Sequence, residues 1–172
     1  MSFDVFLHTC NLGTRKMRAK NPFTGESMTT FDDPGLSDEQ WTAVSQLLKD
    51  FKAEGPDDYG CYTLSFGDGG EADLHAEGLA GDGKIDGCSL ETRSLTPEVV
   101  NFLFRLSRIG NMVIIAATEG VGTLVTSEEQ LQRVAARFPD AKVVRTATAL
   151  AKELRHGFRT WKKYRDQVVE EE

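Results

Sequence analysis

The sequence predicts an α+β fold of one domain spanning 1–172, a mixed and mostly antiparallel sheet built from hairpins and packed by about four helices. Three observations lead there. First, Thr96 to Ile109 is a helix apolar around most of its girth, followed after Gly110-Asn111 by the unbroken apolar run Met112–Ala117. A helix of that kind is buried on more than one side, and a short continuous apolar run fits a strand covered on both faces. Second, period-two runs separated by Gly, Pro and Asn turns recur along the first half, as hairpins do. Third, those runs are mixed with helical stripes and do not alternate strictly with them, which favours α+β over a doubly wound sheet.

The central helix has its limits written in. Thr96 stands at the N-cap, Pro97 at the first helical position and Gly110-Asn111 at the stop. Val99, Val100, Phe102, Leu103, Phe104, Leu106 and Ile109 leave only a narrow polar stripe of Glu98, Asn101, Arg105 and Arg108.

Before it, Phe3 to Thr9 reads as a strand with Phe3, Val5 and Leu7 on one face. Arg15–Lys20 and Ser27–Phe31 read as the arms of a hairpin turned at Asn21-Pro22-Phe23-Thr24-Gly25. Alternation then puts Lys16, Arg18 and Lys20 on one side of it. Ser37 with Gln40 is a capping box for an amphipathic helix carrying Trp41, Val44, Leu47, Leu48 and Phe51, closed by Gly55-Pro56. Tyr62, Leu64 and Phe66, then Ala72, Leu74 and Ala76, alternate on either side of Gly67-Asp68-Gly69-Gly70, a second hairpin. Gly78 to Gly87 reads as loop, with a short strand near Ile85–Leu90.

After it, Glu119-Gly120-Val121-Gly122 turns into a short strand at Thr123–Val125. Thr126 or Ser127 caps a helix with Leu131, Val134, Ala135 and Phe138 inward, and Lys142–Thr146 is a further strand. The last helix, from about Thr148 to Val168, turns Leu150, Leu154, Phe158 and Trp161 inward, and an acidic tail over 168–172 frays.

Charge is unevenly distributed. The chain carries −7, but Glu54 to Glu91 holds ten carboxylates against Lys84 alone, a segment charge of −9 that leaves +2 for the rest. Such a field favours cationic partners and repels nucleic acid locally. No apolar run approaches the ~20 residues of a membrane span, and the N-terminus lacks the features of a signal peptide. Cys10, Cys61 and Cys88 are odd in number and unclustered, so a cytoplasmic protein with reduced thiols is expected.

Within the acidic segment Glu71, Asp73, His75 and Glu77 share one face if the stretch is a strand. Three carboxylates and an imidazole could ligate a divalent ion, yet strand alternation alone accounts for all four, and a single His is a weak metal signal. Asp82-Gly83-Lys84-Ile85-Asp86-Gly87 approximates a calcium loop, but Lys84 occupies a ligand position and the twelfth residue is Arg93, so no calcium site is expected. The glycine turns lack what phosphate-binding loops require. His8 and Cys10 lie two apart, with no orienting acid legible nearby.

The last helix interleaves Lys152, Arg155, Arg159, Lys162, Lys163 and Arg165 with His156, Phe158, Trp161 and Tyr164. Basic residues among aromatics suit nucleic acid, but helical spacing assigns Phe158 and Trp161 to the core and the cations to a solvated face.

The leading expectation is a non-catalytic binding protein that offers Asp68, Glu71, Asp73, His75, Glu77, Asp82 and Asp86 to a cationic protein surface. An inhibitor or immunity-type protein has this charge layout, an analogy of charge and size alone. No metal, cofactor or catalytic residue is assigned. The rival is a metal-assisted or general acid/base enzyme using Asp73, His75 and Glu77; nucleic-acid binding through the last helix comes third.

Overall fold

The computed structural model describes residues 2–20, 24–81, 84–118 and 120–170. In chain order these form β1 (Phe3–Thr9), β2 (Lys16–Lys20), β3 (Ser27–Phe31), α1 (Asp38–Asp50), β4 (Cys61–Ser65), β5 (Glu71–His75) and β6 (Gly87–Thr92). Then follow α2 (Pro97–Ile109), β7 (Met112–Ala116), β8 (Leu124–Val125), α3 (Glu128–Val134), β9 (Lys142–Val143) and α4 (Ala147–Glu170). The fold is α+β. One sheet has the order β4-β5-β6-β1-β7-β8-β9, and β2-β3 form a separate two-stranded ribbon. Every pairing is antiparallel except β8 with β9.

One face of the main sheet carries the core. Phe3, Val5 and Leu7 of β1 lie beside Leu90 of β6, Leu74 of β5 and Ile114 of β7, all buried. Helices α1, α2 and α4 cover this face, with α2 packed between the other two. Phe102 of α2 meets the rings of Phe51 at 5.1 Å and Phe66 at 5.9 Å, while Phe3 meets Phe158 of α4 at 5.3 Å. Full burial of each such side chain contributes about 1.5–3 kcal/mol, so this layer fixes the sheet's orientation. A smaller cluster of Cys10, Val113, Val125 and Val134 lies on the opposite sheet face, where α3 covers only the β7-β8-β9 end.

The local signals are realised as hydrogen bonds. Ser37 and Gln40 form the reciprocal capping box of α1, and the Thr96 hydroxyl accepts from the Val99 amide to open α2. At the far end of α2 it is Asn111, at φ 49°, and not Gly110 that takes the left-handed turn.

Several expected elements differ. The strand at Lys142–Thr146 stops at Val143, because the Thr146 hydroxyl already accepts from the Ala149 amide at the start of α4. Ser127 caps α3, and Thr126 is instead buried against Gln130. That helix ends at Val134, short of Ala135 and Phe138. The strand anticipated near Ile85–Leu90 is β6, shifted to Gly87–Thr92 and central to the sheet. The final helix continues through Glu170, past the expected end near Val168. The Asn21-Pro22-Phe23 turn, Glu119 and the last two residues of the tail lie outside the described residues.

Candidate functional site: the open face of the sheet

Strand alternation that buries one face of β4, β5, β6 and β1 leaves the other facing outward, and among the described residues no helix covers it there. Register sets its side chains in rows across the strands. One row runs Thr63, Asp73, Glu91, Asp4; the next runs Cys61, His75, Ser89, Phe6 and on to Ile115 of β7. Adjacent members stand about 5 Å apart. Asp73 therefore faces Glu91, and Glu91 faces Asp4, three carboxylates side by side.

Few donors serve that row. The Thr63 hydroxyl donates to Asp73 Oδ1 at 3.0 Å, and Ser2 Oγ lies 2.7 Å from Asp4 Oδ1 and 3.2 Å from Glu91 Oε2. His75 Nε2 stands 3.4 Å from Glu91 Oε1. Glu71, Asp73, Glu91, Ser2 and Arg93 surround a depression of about 440 Å3. Beside it a wider cleft of about 950 Å3 runs past Phe6, His8, Tyr59, His75, Lys84 and Asp86. Phe6 is 47 % exposed and Tyr59 83 %, an apolar centre and rim within an acidic surround.

The residues singled out from sequence fall into separate places. Glu71, Asp73 and His75 do share one strand face. Strand β5 ends at His75, so Glu77 lies beyond it, on the wall of the wide cleft with Asp86. Asp68 sits at the β4–β5 turn, where its carboxylate accepts from the Glu98 and Gly70 amides. Desolvation raises its pKa, but those backbone bonds and the Thr96 hydroxyl outweigh that and hold it below the ordinary value. Its neighbour Glu98 returns the bond by accepting from the Gly67 amide, 2.8 Å away. Asp82 lies outside the described residues. Glu91 and Asp4, both central to the acidic row, come from strands far apart in sequence, so no local pattern marks them.

Chemistry at the face is limited by its own charge. Cys61 Sγ lies 3.9 Å from His75 Nε2, the nearest approach to a thiol–imidazole pair. Burial and then the carboxylates of Asp73, Asp57 and Glu91 push that thiol up, which opposes the thiolate a nucleophile needs. Among the described residues no three His, Cys, Asp or Glu side chains are grouped to hold a metal ion.

At the cleft's end His8 does have an orienting acid. Asp33, 5 % exposed, takes His8 Nε2 at 2.9 Å, the Gly13 amide at 2.7 Å and Arg137 Nη1 at 2.5 Å. Burial raises its pKa, but the Arg137, Gly13 and His8 bonds prevail and hold it below the ordinary carboxylate value. The guanidinium also lies 4.1 Å over the Phe31 ring, so this buried acid ties β1, the ribbon and the segment after α3 together. The partner imagined for His8, Cys10, is buried under α3 and its thiol is pushed up to about 12, chiefly by desolvation, which removes it as a thiolate. Cys88 lies in β6 with Sγ 3.9 Å from Met112 Sδ, and burial pushes its thiol to about 12.

On the far side of the helical layer, α4 buries Leu150, Leu154 and Trp161 and partly buries Phe158. Lys152, Arg155, Arg159, Lys162 and Lys163 are exposed. Among the described residues no helix is long and apolar enough to cross a membrane. No family model, curated protein or solved structure matches the chain.

Proposed function

We propose that the protein is a non-catalytic binding module whose open sheet face receives a cationic protein surface. The observation that carries this reading is the row Asp4–Glu91–Asp73, with Glu71 beside it and Phe6 exposed at its edge. Like charges directly opposite on neighbouring strands destabilise a sheet, by roughly 0.2–1 kcal/mol per pair. A basic partner converts that self-repulsion into attraction, steers encounter from a distance and finds an apolar anchor in Phe6. Weighing against catalysis are the raised thiol of Cys61 and the absence of a ligand cluster among the described residues. The nucleic-acid reading is weaker because Phe158 and Trp161 pack on Phe3, which leaves His156 and Tyr164 as the exposed rings of α4.

The test is capture from host extract with two baits, the native protein and the triple variant Glu71→Lys, Asp73→Lys, Glu91→Lys. A basic protein held by the first and lost by the second, released as salt rises, is the expected result. Identical captures by both baits would refute the reading.

A further inference from the structure

Among the described residues, neither strand of the ribbon β2-β3 contributes to the core clusters. A two-stranded ribbon is marginal in water by itself, yet the residues of β2 and β3 are exposed over most of their length. Register gives it two unlike faces. Lys16, Arg18 and Lys20 alternate along one, opposite Phe31, Thr29 and Ser27; the other carries Met17 beside Thr30 and Ala19 beside Met28. Met17 and Met28 are both exposed. No ion pair involves Lys16, Arg18 or Lys20 among the described residues.

The root of this arm is fixed at the rim of the open face. Asp32 N–H donates to Arg15 C=O at the ribbon's base, and Lys84 of the wide cleft reaches Asp32 at 3.4 Å. Next along the chain, Asp33 binds His8, which lines the same cleft. The ribbon is thus anchored beside the acidic face without lying on it.

The geometry points to a second copy of this chain as a cationic surface that docks there: the ribbon of each copy lies across the open face of the other. This rests on reading that face as a docking surface. Charge is complementary, three cations on the ribbon against Asp4, Glu71, Asp73 and Glu91. The cationic face of the ribbon is the one that meets the carboxylates, so Met17 and Met28, on its other face, turn away from them. Size agrees: five residues per strand make an arm about 17 Å long, and four strands at about 4.8 Å spacing make a face of similar extent. Because arm and face adjoin in one chain, a two-fold axis lets both contacts form at once and closes the assembly as a dimer.

Sedimentation velocity on the purified full chain tests this, at low salt and at about 0.5 M salt. The native protein is expected to be dimeric at low salt, with its dissociation constant raised about tenfold or more at high salt. The ribbon variant K16E/R18E/K20E and the face variant E71K/D73K/E91K are each expected to be monomeric, with circular dichroism showing both folded. Mixed, they are expected to form a one-to-one heterodimer, because each arm, reversed or native, then meets a face of opposite sign. A native protein monomeric at low salt, variants that still dimerise, or folded variants that fail to pair on mixing would each overturn the proposal. If K16E/R18E/K20E is monomeric and still captures a basic host protein that E71K/D73K/E91K loses, the docking face stands whatever the second copy does.

Discussion

Replacing Asp33 by Asn should be the most informative single change to the fold. The carboxylate is 5 % exposed and receives Arg137, His8 and the Gly13 amide. Breaking one side of a buried pair costs about 3–5 kcal/mol, because the other charge is left without a counter-ion. Arg137 keeps 21 % of its side chain exposed, so water relieves part of that cost and the lower bound, about 3 kcal/mol, is expected. For a chain of 172 residues that corresponds to a fall in Tm of roughly 6–12 °C.

The pH dependence of that loss has a definite sign. The folded carboxyl titrates below its ordinary value of 3.8, so the unfolded chain binds the proton more readily. Its contribution is therefore complete above the ordinary carboxylate range and is lost as pH falls through the lower folded value. Urea unfolding of native and variant proteins from pH 7 down to pH 3 should show a gap widest at neutrality and narrowing in acid. A gap under about 1 kcal/mol at pH 7, or one independent of pH, would refute this account of Asp33.

Two further changes test the face and the helical layer. Glu91→Gln should stabilise the protein by roughly 0.2–1 kcal/mol per relieved pair at pH 8, and the gain should shrink in high salt; a loss of stability there would show that the acidic row is not self-repelling. Gly157→Ala improves helix propensity by about 1 kcal/mol, yet a Cβ at that position would lie 2.2 Å from Thr118 Oγ1 and 2.8 Å from Val121 Cγ2. Overpacking of about 1–3 kcal/mol should win and lower the melting temperature, whereas a rise would mean that Thr118 and Val121 yield freely.

The sequence by itself determined what depends on neighbours along the chain. The capping box at Ser37 and Gln40, the Thr96-Pro97 start, the girdle of apolar residues in α2 and the alternation of Glu71, Asp73 and His75 are all local patterns, and each is realised. Sites assembled across strands needed the tertiary structure. Glu91 reaches Asp73 and Asp4 only through pairings that join β6 to β5 and to β1, and the order of strands in a sheet leaves no periodic trace. Asp33 meets His8 across 25 positions and Arg137 across 104, so the acid that orients His8 could not be read from its surroundings in sequence. Asp68 shows the reverse case: its place in an acidic run suggested a free charge, whereas the approach of α2 gives its carboxylate the Glu98 amide to bind, beside the Gly70 amide of its own turn. Hydrophobic period and capping act within a few residues, while register, burial and ion pairing follow from which distant surfaces the core brings together.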